Sequence, residues 1–177
     1  MILILQNIFF NRPVLKLAPE LLGKYLVRKF PNGKTKAYMI TEVEAYDGEK
    51  DLANHASKGR TKRTEVMYGE AANFYVYLCY GMHHMLNIVT GPKNYPSAVL
   101  IRGLQGLKGP GALTRNLHIK KDFNGKPASK KSGLWIEDRE IKVLRKNIVR
   151  TPRVGVDYAG NWAKKPYRFV LHSKVLK

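Results

Sequence analysis

Between residues 36 and 46 the chain alternates side chains of opposite character, and this run constrains the fold more than any other. Successive residues of an extended strand point to opposite faces. Ile40, Glu42, Glu44 and Tyr46 therefore share one face, while Val43 and Ala45 take the other. A strand with carboxylates above and aliphatic groups below needs a sheet around it. Residues 25–30 supply a neighbour across a Pro31-Asn32-Gly33 turn, and residues 74–78, 86–89, 98–102, 134–136 and 167–171 read as further short strands. Helix signals are few. Asn11-Arg12-Pro13 leads into Val14, Leu15, Leu17, Leu21 and Leu22 before Gly23, and a second short helix spans residues 112–117 after Gly109-Pro110-Gly111. The expectation is an α+β fold, one domain over residues 1–177, with a mainly antiparallel, curved β core and short flanking helices.

A chain of 177 residues, 44% hydrophobic, can bury a real core without a second domain, and no repeat or linker divides it. Residues 47–70 are polar and basic and read as a long functional loop. Residues 120–131, charged and containing Gly and Pro, read as a mobile excursion.

The charge balance narrows the partner. Thirty-two Lys and Arg stand against 13 Asp and Glu, a formal net charge of +19. Such an excess repels itself in a folded chain, so a polyanion, nucleic acid, is expected as partner. A membrane is not. No basic amphipathic helix stands out, and the apolar start of the chain is short and broken at Gln6 and Asn7. Cys79 is the only cysteine, which rules out intrachain disulfides and cysteine-rich zinc sites and fits an intracellular location. Within its apolar strand it reads as a buried structural thiol. The five histidines lack metal-ligand spacing, so neither a metal nor a cofactor is expected. Gly33-Lys34-Thr35 is not a phosphate-binding loop, because Arg28 stands where the first glycine is required.

What remains is Glu42 and Glu44 in one strand and Tyr75, Tyr77 and Tyr80 in another, on a cationic chain. Acid/base groups beside stacking rings suit an enzyme acting on a base drawn out of DNA. Two solvated strand carboxylates on a basic module that stacks bases without cleaving them would use the same residues.

The ordered motifs go further. Glu42-Val43-Glu44-Ala45-Tyr46, His55, Arg63-Thr64-Glu65-Val66-Met67, Tyr75-Val76-Tyr77, Tyr80-Gly81-Met82, Asn87, Arg102, Lys108-Gly109-Pro110-Gly111, Arg153-Val154-Gly155-Val156 and Trp162-Ala163-Lys164-Lys165-Pro166 follow in sequence. This set resembles the alkyladenine (3-methyladenine) DNA glycosylase family across almost the whole chain. The resemblance implies a monofunctional glycosylase of base excision repair, working as a monomer on double-stranded DNA with damaged purines. It flips the damaged nucleotide out and hydrolyses the N-glycosidic bond with an activated water, leaving an abasic site. It implies Glu44 as the general base, with Glu42 second in line, and Arg102 and the Val154 carbonyl as contacts to the water. Tyr46, His55 and Tyr77 become walls of the base pocket, where π faces should favour an alkylated, positively charged purine. Asn87 becomes the group that excludes guanine's 2-amino group, and Tyr80 with Met82 the wedge that fills the gap left in the duplex. Arg60, Lys62, Arg63, Lys120, Lys121, Lys164 and Lys165 would line the phosphate track. The family usually has proline and asparagine where Lys62 and Thr64 stand, and Pro-Gly where Ala71-Ala72-Asn73 stands. A bifunctional glycosylase/lyase would need a reactive lysine, and no motif marks one.

Overall fold

A computed structural model describes residues 2–172. Its ten strands are β1 (Leu3–Ile4), β2 (Tyr25–Lys29), β3 (Thr35–Asp47), β4 (Phe74–Cys79), β5 (His83–Val89), β6 (Ser97–Leu104), β7 (Leu107–Lys108), β8 (Leu134–Asp138), β9 (Ile148–Thr151) and β10 (Arg168–Leu171). Three short helices join them: α1 (Asn7–Phe10), α2 (Val14–Glu20) and α3 (Pro110–Asn116). The main sheet order is β1-β8-β2-β3-β6-β5-β4, with β10 added beside β3 and β9 outside it. Every pairing is antiparallel, and the short connections of β2–β3, β4–β5, β5–β6 and β6–β7 require it of those pairs. The fold is the α+β class expected, and no helix among the described residues is long and apolar enough to cross a membrane.

Strand β3 organises the molecule. Its first half pairs with β2 across a tight turn, where the Phe30 N–H donates to the Lys34 carbonyl at 2.8 Å and Gly33 takes φ +80°. Only glycine adopts that sign of φ without strain. Its second half lies between β6 and β10, and the register shifts on either side of Glu42. That irregularity corrects the simple alternation. Ile40 does not share the face of Glu42 and Glu44; it is fully buried in the same cluster as Val43 and Ala45. An extra residue in one strand reverses the parity of everything beyond it.

The buried face of β3 is covered from the N-terminus. Phe10, Leu17, Ala18 and Leu21 join Ile40, Val43, Val99, Ile101 and Phe169 in one cluster. Each fully buried Leu, Ile or Phe contributes about 1.5–3 kcal/mol. With this face covered, the other is left for chemistry.

Two loops are more ordered than their composition suggests. Residues 47–70 fold into 3₁₀ turns at His55–Lys58 and Glu65–Tyr68, with Asp51, Asn54, Ala56, Met67 and Tyr68 buried. Residues 120–131 are no excursion: Phe123 and Ala128 are buried, and the Phe74 N–H donates to the Lys126 carbonyl at 2.9 Å. The Asn124 side chain accepts from the Val76 N–H at 2.9 Å, so this segment caps the edge of β4. Its charges face outward while spaced apolar residues anchor it, a pattern too sparse to show as periodicity. The short strands β1, β7 and β9 also escape a sequence reading, because pairing rather than propensity makes them.

Candidate active site

Strands β4 and β5 meet in a turn whose central residues, Tyr80 and Gly81, both have positive φ (+49° and +68°). The Met82 N–H closes it onto the Cys79 carbonyl at 3.1 Å. A non-glycine residue held there is uncommon, and the consequence is a ring thrown outward. Tyr80 is 86% exposed and Met82 71%.

Behind this turn lies a cavity of about 660 Å³ between β3, β4, β5, β6, the 47–70 loop and the segment after β9. Its wall includes Glu44, Tyr46, His55, Tyr77, Tyr80, Asn87, Arg102 and Val154. Met82 stands outside it, against a neighbouring cleft with His83, His84 and His118. Among the sequence-chosen positions, then, eight converge and one flanks them.

Glu44 is fully buried. Its Oε2 accepts from the Tyr46 hydroxyl at 2.9 Å, and its Oε1 from the Val154 N–H at 2.9 Å. Arg102 Nε is 3.5 Å from the same Oε1. Val154 thus meets Glu44 through its amide, a group with no signature in sequence. Burial raises the Glu44 pKa, and Arg102, the Val154 amide and the Tyr46 hydroxyl pull it down without overcoming that push. A carboxylate shifted toward neutral pH is a stronger base than a solvated one. Burial and the adjacent Glu44 push the Tyr46 phenol well above its ordinary range, so it remains a donor.

Glu42 has a different role. It does not line the cavity, and its Oε1 accepts from Arg168 Nε at 2.6 Å and lies 2.9 Å from Arg102 Nε. Two guanidinium groups hold it, and through Arg102 it braces the carboxylate two residues on. The two acids separate because Arg168 of β10 comes up beside β3 opposite Glu44 in the register.

The ring wall is continuous. Tyr75 and Tyr77 lie with centroids 5.3 Å apart, and His55 stands edge-on to Tyr77 at 4.5 Å. His55 Nδ1 is 2.9 Å from the Tyr75 hydroxyl. Burial, with Arg63 and Lys58 nearby, lowers its pKa to about 4, so the ring is neutral at neutral pH. Asn87 is buried, its Nδ2 donating to the Tyr75 carbonyl at 3.1 Å. Cys79 is not the sealed thiol expected: it is half-buried and lines the cavity, because the strand ends there in the Tyr80 turn.

Sequence reasoning passed over two residues that hold the site together. Arg153 and Asp51, both sealed from solvent, are joined at 2.5 Å and 2.8 Å. Arg153 also donates to the Ala45 carbonyl at 2.8 Å and lies over the Tyr46 ring at 4.7 Å. It thereby ties the residue before Val154 to the strand bearing Glu44. The sequence carried no signal that singled out Asp51, since residues 47–70 also contain Asp47, Glu49, Glu65 and Glu70. Arg63, grouped with the phosphate-facing cations, is exposed and also lines the cavity wall, with its guanidinium 5.1 Å from the Tyr77 ring centre. Arg60 pairs with Glu65 at 2.6 Å, while Lys62, Lys120, Lys121, Lys164 and Lys165 are exposed. Among the described residues no group of three or more His, Cys, Asp or Glu is placed to hold a metal ion.

Comparison with known proteins gives this arrangement its context. The sequence profile of the methylpurine-DNA glycosylase family matches residues 8–108 and 105–175. This chain belongs to that family. It is accordingly a DNA glycosylase, a hydrolase of N-glycosyl bonds that serves DNA repair and has DNA as its substrate. Relatives named "Putative 3-methyladenine DNA glycosylase" include one from Methanocella arvoryzae, 42% identical over 94% of this chain and 91% of its own. One from Anaeromyxobacter sp. is 42% identical over 92% and 86%, and one from Myxococcus xanthus 41% identical over 93% and 88%. The glycosylase thus matches these relatives along most of both chains, with the cavity's β3, β4 and β5 inside the first matched segment and Val154 inside the second.

Proposed function

We propose that this glycosylase draws a damaged purine nucleotide out of duplex DNA into the cavity and hydrolyses its N-glycosidic bond with a water activated by Glu44. The observation that carries this reading is a single fully buried carboxylate, with a raised pKa, in the wall of an aromatic-lined cavity. A module that only stacks bases has no use for a desolvated acid held by an arginine, an amide and a phenol. As the base departs the sugar becomes oxocarbenium-like; Glu44 offsets that charge and takes the proton from the water. Arg102 and the Val154 amide keep its Oε1 in place, and the Tyr46 hydroxyl its Oε2.

Tyr80, projecting from its strained turn, fills the space left by the extruded nucleotide, with Met82 beside it. Tyr46, His55 and Tyr77 hold the base by stacking, and Asn87 narrows the pocket against guanine's 2-amino group. The product is an abasic site, since no lysine lines the cavity among the described residues to act as a lyase amine. Every one of these groups comes from one chain, which favours action as a monomer. The substrates are alkylated and other damaged purines; the relatives' names specify 3-methyladenine.

The decisive measurement is release of free purine bases from alkylated DNA, by chromatography, for wild type and Glu44→Gln. Gln keeps the shape and an acceptor for the Val154 amide but cannot take a proton. Release by wild type, and a loss of about 10²–10⁴-fold in the variant, is expected for removal of a general base. Retained activity in Glu44→Gln refutes the assignment.

A further inference from the structure

Most of the charged groups around the cavity are paired. Glu42 is held between Arg102 and Arg168, Glu44 lies beside Arg102, and Asp51 is locked to Arg153. These three acids and three arginines balance. Arg63 and Arg115, both exposed on the cavity wall, stand over and above them, and of the two it is Arg63 that lies against the ring wall. The nearest acid in sequence, Glu65, is taken by Arg60, with bonds of 2.8 Å and 2.6 Å. The partners of Arg63 on the cavity wall are neutral: the Tyr77 ring at 5.1 Å and His55 Nε2 at 3.5 Å.

We infer that Arg63 sets the charge preference of the base pocket, favouring damaged purines that are neutral over those that carry a positive charge. The inference rests on the base-pocket reading above and refines its substrate class. Two physical consequences of the geometry support it. A guanidinium already occupies the electron-rich surface of Tyr77, so that ring has less attraction left for a cationic purine. The unbalanced positive charge also repels such a base directly.

The chemistry of departure points the same way. When a neutral purine leaves, the C1′–N9 bond pair goes with it and negative charge develops on the ring. Water oxygen bonds to C1′, its proton passes to Glu44, and the purine anion is then protonated. A guanidinium aimed at the ring nitrogens or a ring carbonyl lowers the energy of that developing anion. A purine alkylated to a cation departs as a neutral molecule and gains nothing from the same group. His55 strengthens the arrangement. Arg63 has only donors, so the neutral imidazole must present the Nε2 lone pair to it and carry its hydrogen on Nδ1 toward Tyr75. Its pKa of about 4 keeps it in that form.

The test compares two duplexes, one with a single hypoxanthine and one with a single 7-methylguanine, in single-turnover base release. Wild type, Arg63→Gln and Arg63→Lys are measured at fixed salt. In Arg63→Gln the hypoxanthine-to-7-methylguanine rate ratio should fall by about 10-fold or more, less than the roughly 10²–10³-fold a lost donor to a developing anion removes in a closed site, since Arg63 is exposed to solvent. Arg63→Lys, which keeps the charge, should retain most of the wild-type ratio. A parallel fall on both lesions would assign Arg63 to a phosphate and overturn the inference, as would an unchanged ratio. Wild type releasing neither base would instead remove the underlying reading, so the two failures are distinguishable.

Discussion

Asp51→Asn isolates the contribution of one buried charge to the frame of the site. The side chains of Asp51 and Arg153 are fully shielded and meet through two bonds, at 2.5 Å and 2.8 Å. Asn is close to Asp in size, so the substitution opens no cavity. It does place amide hydrogens where the guanidinium requires an acceptor, and it leaves Arg153 charged in the interior. Burial alone would lower the Arg153 pKa, yet it is held above its ordinary value, chiefly by Asp51. The remaining bonds to the Ala45 and Trp162 carbonyls, at 2.8 Å and 3.3 Å, do not neutralise it. Breaking a buried pair from one side destabilises by about 3–5 kcal/mol. For a chain of this length, at roughly 2–4 °C per kcal/mol, the melting temperature should fall by roughly 6–20 °C. Thermal unfolding followed by circular dichroism at pH 7 measures this, with the urea midpoint as an independent check. Adding Arg153→Met should restore part of the loss, because no unpaired charge then remains inside. Base release should slow in Asp51→Asn below its melting temperature, since Arg153 anchors the chain at Val154. A variant within about 1 kcal/mol of wild type, the range of a surface pair, would refute the reasoning.

Three further outcomes follow from the same geometry. Glu44 has a folded-state pKa above its ordinary value of 4.5, so its ionisation opposes folding: stability from this group is full below about pH 4.5 and is lost as pH rises through the raised value. Glu44→Gln should therefore melt higher than wild type at pH 7, and the difference should vanish in acid, as calorimetry across pH would show. Activity should have an acid limb whose midpoint exceeds that of an ordinary carboxylate, read from single-turnover rates against pH. Tyr80→Ala should reduce release from duplex far more than from single-stranded DNA, because only the duplex requires the vacated stack to be filled; equal losses on both would discard the wedge.

The sequence on its own determined the sheet, the carboxylate strand and the ring strand, because alternation and turn residues act locally. Pro31-Asn32-Gly33 dictates a hairpin whatever surrounds it, and Tyr75 and Tyr77 must share a face. It also carried the ordered motifs that placed Glu44, Arg102 and Tyr80. Tertiary structure decided what depends on packing between distant segments. Which glutamate is sealed in the cavity and which is held by Arg168 depends on β10 arriving beside β3, more than a hundred residues later in the chain. The parity shift near Glu42, which sends Ile40 into the core, depends on the register with β6. Arg63, though exposed, lies against the Tyr77 ring while Arg60 pairs with Glu65, and nothing in the two residue types foretells it. The order of residues 120–131 likewise rests on a few apolar anchors against β4. Long-range contacts are made by shape and burial, and a linear pattern of polarity records only which side of an element is dry.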